Sequence, residues 1–253
     1  MEMALAHTTT VAKSRVPELR AFAKLSERAY RELMAELQRY ARRVVAGNVV
    51  LQDGEENERV LIVLDGWMAI TKCLEDGESQ IIDFALPGDV LDPSSGDGHT
   101  SGVTLEVVSD ARVSLLPNAR WHRLLSDHPQ LAHYIANVAG AAQARMSERM
   151  LRLGKGSAQT RIAHTLIELC VRLKAAGQTV ECQYHLPLTQ KDIGDFVGLS
   201  SVHVCRTLRR LERAGIIDVT DHIDVKILDI DALAEIAQID PARLAAEATP
   251  ART

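Results

Sequence analysis

Cysteine is sparse in this chain, and its placement excludes more than its number. Of 253 residues four are cysteines, at positions 73, 170, 182 and 205, with no Cys-x-x-Cys pair and no tight cluster. Neither a zinc site nor a disulfide framework is therefore expected, and the four read as free thiols of a reducing compartment. Long apolar runs are missing too: none approaches the roughly 20 residues of a bilayer span, and the N-terminal MEMALAHTTTVAKSR has no apolar signal-peptide centre. The expectation is a cytoplasmic protein with no membrane partner. Between residues 44 and 117 there is one histidine, His99, in a Gly/Ser loop, too little to build the His and carboxylate cluster of a metal-dependent jelly-roll enzyme. No G-x-S-x-G, P-loop or paired-acid motif occurs either, so the chain reads as a non-enzyme with no metal and no cofactor.

What is present fits two ordinary domains, since 253 residues with 46% hydrophobic content can bury a core in each. From about 44 to 117, β-rich runs such as VLIVL, WMAIT and IIDFAL alternate with turns at AGN, DGEEN, LDG, EDGES and PGD. Such spacing indicates a small antiparallel barrel or jelly roll. Ahead of it, LSERAYRELMAEL reads as a helix capped by Ser26.

The segment LPLTQKDIGDFVGLSSVHVCRTLRRLERAGII carries the functional signal. At 100° per residue Val204, Leu208 and Leu211 share one helical face, and Val202, Arg206, Arg209 and Arg213 the opposite one. Thr189 with Asp192 at N3 forms a capping box for a preceding helix, Gly198 sits where the chain reverses, and Ser200 caps the second helix. This is the layout of a DNA-reading helix-turn-helix. The strand-like IIDVT and VKILD around DHID read as a two-stranded wing.

Between the two parts, residues 129–153 form a long helical pattern with Leu131, Ile135, Val138, Ala142, Met146 and Leu153 on one stripe. Gly140, Ala141 and Ala144 permit close approach of another helix, which points to a two-helix dimer seam. Arg145 and Arg149 fall within the stripe. Gly154 to Ser157 then interrupts the helix as a hinge. The expected organisation is a sensor domain at 20–128, a dimerisation helix at 129–153, a hinge at 154–157, a winged helix-turn-helix domain at 158–235 and a C-terminal tail at 236–253. The net charge of −5 is uneven, at −7 over residues 1–115 but +3 over 116–154 and +4 over 155–217. A local basic region on an acidic chain suits a regulator that must release non-specific DNA.

In this order of parts, in PGD at 87–89, in TRIAHTLIEL at 160–169 and above all in the helix-turn-helix segment, the chain resembles the Crp/Fnr family of bacterial transcription regulators. The resemblance implies an α+β protein with an N-terminal double-stranded β-helix (jelly-roll) sensor, a long dimerisation helix and a C-terminal winged helix-turn-helix. It implies a homodimer on a palindromic double-stranded operator, and contact with RNA polymerase if the protein activates.

Within that resemblance Arg206 matches the arginine that reads a guanine, its planar fork fitting O6 and N7. Ser201, Val202 and His203 take the other base-facing positions, with Val202 where many relatives carry glutamate. Thr189, Gln190, Ser200, Arg209 and Arg210 are expected to grip phosphates. The effector is open. The stretch DPSSGDGHTSGVTLE lacks the arginine that holds a cyclic-nucleotide phosphate, residues 1–72 hold no cysteine for an iron–sulfur cluster, and Leu91 to Ser94 offer no haem ligand. Arg145, Arg149 and Ser147 are candidates for an anionic effector, and Cys205 beside Arg206 for a redox response. The alternative is a winged helix that serves protein interaction and never meets DNA.

Overall fold

The computed structural model describes residues 16–94, 98–179, 181–220 and 224–249. Residues 1–15, 95–97, 180, 221–223 and 250–253 lie outside the described residues, and with them parts of the stretches DPSSGDGHTSGVTLE and DHID singled out above. The chain separates into two compact units, residues 1–72 with 84–135 and residues 73–83 with 136–253. Among the described residues no helix is long and apolar enough to cross a membrane.

In the first unit a 3-10 turn, Arg20–Phe22, precedes α1, Glu27–Arg39, whose N-cap Ser26 accepts from the Ala29 amide. Among the described residues eight strands follow: β1 Ala41–Val44, β2 Val49–Leu51, β3 Arg59–Asp65, β4 Met68–Cys73, β5 Ser79–Ala85, β6 Val90–Leu91, β7 Thr104–Val107 and β8 Ala111–Pro117. They form two antiparallel sheets, ordered β1-β8-β3-β6 and β2-β7-β4-β5. Then come α2, Asn118–Asp127, and the long α3, Pro129–Lys155.

β3 shows why this is a closed roll with a helical jacket. Its residues Val60 to Leu64 are buried in succession, without the polar alternation of a one-sided strand. Leu61 and Val63 meet Met68, Leu105, Val107 and Val113 between the two sheets. Val60, Ile62 and Leu64 turn the other way, onto Leu33 and Leu37 of α1, Trp121 and Leu124 of α2 and Leu131 of α3. Each such side chain contributes about 2 kcal/mol by leaving water.

The second unit is built around α4, Ala158–Ala176, capped by Ser157 and closed by Gly177 in the left-handed region. α4 is buried on nearly every side, from Thr160 to Leu173, as expected of a helix that is surrounded rather than laid on a surface. After it come β9 Gln183–His185, α5 Gln190–Val197, α6 Ser201–Arg213, β10 Ile217–Thr220, β11 Asp224–Ile227, α7 Ile230–Ala237 and α8 Pro241–Ala248.

Four expectations need correction. The wing sheet has three strands, ordered β10-β11-β9, because Gln183 to His185 pair with β11. The long helix expected to end at 153 runs to Lys155, so the break narrows from 154–157 to Gly156 and Ser157. The tail at 236–253 holds an ordered helix, α8, capped by Asp240 with Pro241 in its first turn; Leu244 and Ala248 are buried. Not all cysteines are free: Cys170 and Cys182 form a disulfide, leaving Cys73 and Cys205 as thiols. Their separation of 12 residues carries no motif, and the turn at Gly177 brings them together.

Candidate nucleic-acid interface

α5 and α6 are assembled by local chemistry. The Thr189 hydroxyl accepts from the Asp192 amide at 3.1 Å, and the Asp192 carboxylate accepts from the Thr189 amide at 2.7 Å, a complete capping box. Caps of this kind contribute about 1 kcal/mol. Ile193, Phe196 and Val197 are buried. Gly198 ends α5 at φ +65°, a left-handed backbone that glycine adopts without cost. Ser200 then caps α6, its hydroxyl accepting from the His203 amide and lying 3.0 Å from His203 Nδ1.

α6 divides as its periodicity requires. Val204, Thr207, Leu208 and Leu211 are buried, while Ser201, Val202, His203, Arg206, Arg209, Arg210 and Arg213 are exposed. Val202, at 56% exposure, is a β-branched apolar side chain left in water at the start of the helix. Cys205 is half-buried between the two faces. Thr189 and Gln190 stand at the start of α5, with the Thr189 hydroxyl also donating to the Asp192 carboxylate at 2.7 Å, so the cap and not a solvent-facing donor is its first role.

Arg161 ties this motif to the helix break, a connection not apparent from the sequence. Its guanidinium donates to the carbonyls of Leu153 (2.8 Å), Gly156 (3.0 Å), Val197 (3.2 Å) and Gly198 (3.3 Å). One planar fork therefore closes the C-terminus of α3 and the C-terminus of α5 together.

The arginines proposed for an effector have other partners. Asp83 on β5 receives Arg172 at 2.9 Å, Arg149 at 3.0 Å and Arg145 at 3.2 Å, and Arg149 also reaches Glu168 at 3.3 Å. Arg149 stacks on Phe196 of α5, 4.8 Å from the ring centre. Arg145 donates to the carbonyl of Ala248 at 3.0 Å and Arg152 to that of Ala237 at 3.5 Å. These are the last residues of α8 and α7, whose C-termini carry partial negative charge. Burial pushes the Asp83 carboxyl up, yet Arg172, Arg149 and Arg145 outweigh it and hold it well below the usual carboxylate range. His164, beside them, is pushed down to about 3 by burial and by the charges of Arg152 and Arg149. Ser147 is exposed and donates to Gln143 within its own helix. The three effector candidates do not converge.

Gln80, also on β5, donates to the carbonyls of Asp195 and Phe196. Thus β5, α3, α4 and α5 meet at one buried charged knot. Also on α3, Met146 (41%), Met150 (70%), Leu151 and Leu153 remain exposed among the described residues, with Met146, Met150 and Leu153 sharing one helical face.

In the first unit a cavity of about 640 Å³ opens into the roll over Leu61, Leu105 and Leu115. Among the described residues its lining includes Glu55, Glu56 and Glu58 with Arg59 and His99.

Comparison with known proteins agrees with this architecture. A cyclic nucleotide-binding domain model matches residues 41–128 and a Crp-like helix-turn-helix domain model residues 160–236. The chain is 32% identical over 209 residues to the nitrogen fixation regulation protein FixK of Bradyrhizobium diazoefficiens, covering 79% of this chain and 85% of that one. It is 30% identical to FixK of Azorhizobium caulinodans, covering 73% of each. The solved structure of FixK2 from Bradyrhizobium japonicum superposes with a TM-score of 0.70 at 26% identity, over 78% of this chain and 96% of that one.

Proposed function

Because the chain belongs to the Crp/Fnr family of transcription regulators, we propose that it works as a cytoplasmic homodimer that reads an inverted-repeat operator with one α6 in each major groove. The observation that carries this reading is the outer face of α6, where Arg206, Arg209, Arg210 and Arg213 are exposed while the opposite face is buried. Arg206 reads a guanine through O6 and N7. Val202 meets a thymine methyl, and His203, oriented by Ser200, adds a donor nearby. Arg209 and Arg210 neutralise phosphates, while Ser200 and the α5 terminus at Thr189 and Gln190 supply backbone and hydroxyl contacts. Two copies pair through the exposed Met146, Met150, Leu151 and Leu153 of α3, which places half-sites about 34 Å apart. If the protein activates, RNA polymerase is its partner.

The roll cavity favours an effector without a phosphate, since three glutamates share its lining with Arg59 and His99.

Selection of bound duplexes from a random pool, with sedimentation of the free protein, tests the proposal. A palindromic consensus and a dimer are the expected results. Enrichment of no sequence at physiological ionic strength would leave α6 as a protein-interaction surface.

A further inference from the structure

The fold joins two cysteines whose positions in the chain gave no hint of partnership. Cys170 lies inside α4 at 1% exposure, and Cys182, half-buried, stands immediately before β9. Their Cα atoms are 5.6 Å apart and their sulfurs are bonded, a separation in the middle of the range a disulfide needs.

What the bond connects gives it meaning. α4 is the helix on which α5, α6, α7 and α8 are packed. The carbonyl of Cys182 accepts from the amide of Ile227, the last residue of β11, at 2.8 Å. Two residues further on, the Tyr184 hydroxyl donates to the Leu166 carbonyl of α4 at 2.7 Å. The wing sheet is therefore fastened to α4 at two points about one helical turn apart, one a buried hydrogen bond and the other covalent. Only the covalent one depends on the redox state.

We propose that Cys170 and Cys182 form a reversible thiol–disulfide site, oxidised by low-molecular-weight disulfides, whose state sets how firmly the wing is held to the scaffold of the recognition helix. Disulfides in reducing compartments are typically transient and sensing rather than permanent. Cys182 is the residue a solute reaches, so it reacts first. Its thiolate attacks one sulfur of the oxidant RSSR, the S–S bond breaks, and the departing RS⁻ takes up the proton that Cys182 released. Cys170, deprotonated in turn, attacks the Cys182 sulfur of the mixed disulfide and expels the second RS⁻, which is protonated likewise. Two protein thiols are oxidised and RSSR is reduced to two RSH; an excess of RSH runs the sequence backwards. The consequence for operator affinity rests on the DNA-binding reading above, whereas the chemistry and its effect on the wing do not.

The experiment uses the full chain equilibrated with glutathione buffers from fully reduced to fully oxidised. Alkylation under denaturing conditions should count four thiols at the reduced end and two at the oxidised end, with a linked peptide pair containing Cys170 and Cys182. Amide exchange at residues 183–186 and 224–227 should quicken on the order of tenfold in the reduced protein and in Cys182→Ser, and thermal unfolding should fall by several degrees. Cys205→Ser should keep both responses. Four alkylatable thiols across the whole redox range, or a bond that forms without changing exchange in the wing, would overturn the proposal. A duplex recovered from the random pool should bind several-fold more weakly to the reduced protein; equal affinity in both states would remove the link to DNA. If the pool yields no duplex, the DNA-binding reading fails on its own, while thiol counts and exchange still decide the brace.

Discussion

Gly194 donates no side chain because Leu199 occupies its place: a Cβ on Gly194 would stand 2.4 Å from the Leu199 carbonyl oxygen, while the Leu199 amide donates back to the Gly194 carbonyl at 3.0 Å. The backbone entering α6 thus crosses directly over the middle of α5. Gly194→Ala should cost about 1–3 kcal/mol, since the obstructing atom is backbone and cannot rotate away. Gly198→Ala should cost about 1 kcal/mol through its positive φ, its nearest contact being the movable Leu153 side chain at 3.1 Å. Urea unfolding of the two variants checks the order; equal costs would show that the crossing can open to admit a methyl group.

Arg206→Ala should relax preference at one base pair per half-site by about 1–3 kcal/mol. Competition between the selected operator and its single-base variants measures this. Arg209→Ala should instead weaken all duplexes alike and lower the salt slope by about one phosphate contact.

Asp83→Asn should destabilise by about 3 kcal/mol, because three buried arginines lose their shared carboxylate. The exposed pair Lys72–Asp53 is the control, and Asp53→Asn should change stability by less than about 1 kcal/mol. Chemical denaturation of both variants distinguishes them.

His164 makes stability fall with acid. Its folded value of about 3 lies below its ordinary 6.5, so the unfolded chain takes up the proton first. The stabilisation is complete above pH 6.5 and is lost toward pH 3, at up to about 1.4 kcal/mol per pH unit. Asp83, held below its ordinary 3.8, loses stability in the same direction but only at lower pH. Unfolding midpoints at pH 7, 6 and 5 should therefore decline in the wild type and decline less in His164→Leu.

The parts legible in the sequence are those decided within a few residues. Thr189, Asp192, Gly198 and Ser200 act on backbone groups three or four positions away, and the two faces of α6 follow from periodicity, so the helix-turn-helix could be read directly. The strands of the roll were visible through their turns. Asp83 meets Arg145 across 62 residues of chain, and no local pattern tells a buried ion pair from a ligand site or a dimer seam. The Cys170–Cys182 bond likewise exists only once the turn at Gly177 and strand β9 are in place. Other features left a trace that could have been used: Gly194 interrupts an otherwise good helical pattern, and Asp240-Pro241 is a helix start ahead of PARLAAEA.

The four carbonyls gathered by Arg161 restrict how this lineage can drift. Lysine keeps the positive charge and is commonly tolerated in place of arginine on surfaces, but its three donors radiate from one nitrogen and do not reach all four carbonyls. At this position the usual exchange between the two basic residues is closed, and divergent descendants are expected to keep the guanidinium or to rebuild the junction between the long helix and the reading head altogether.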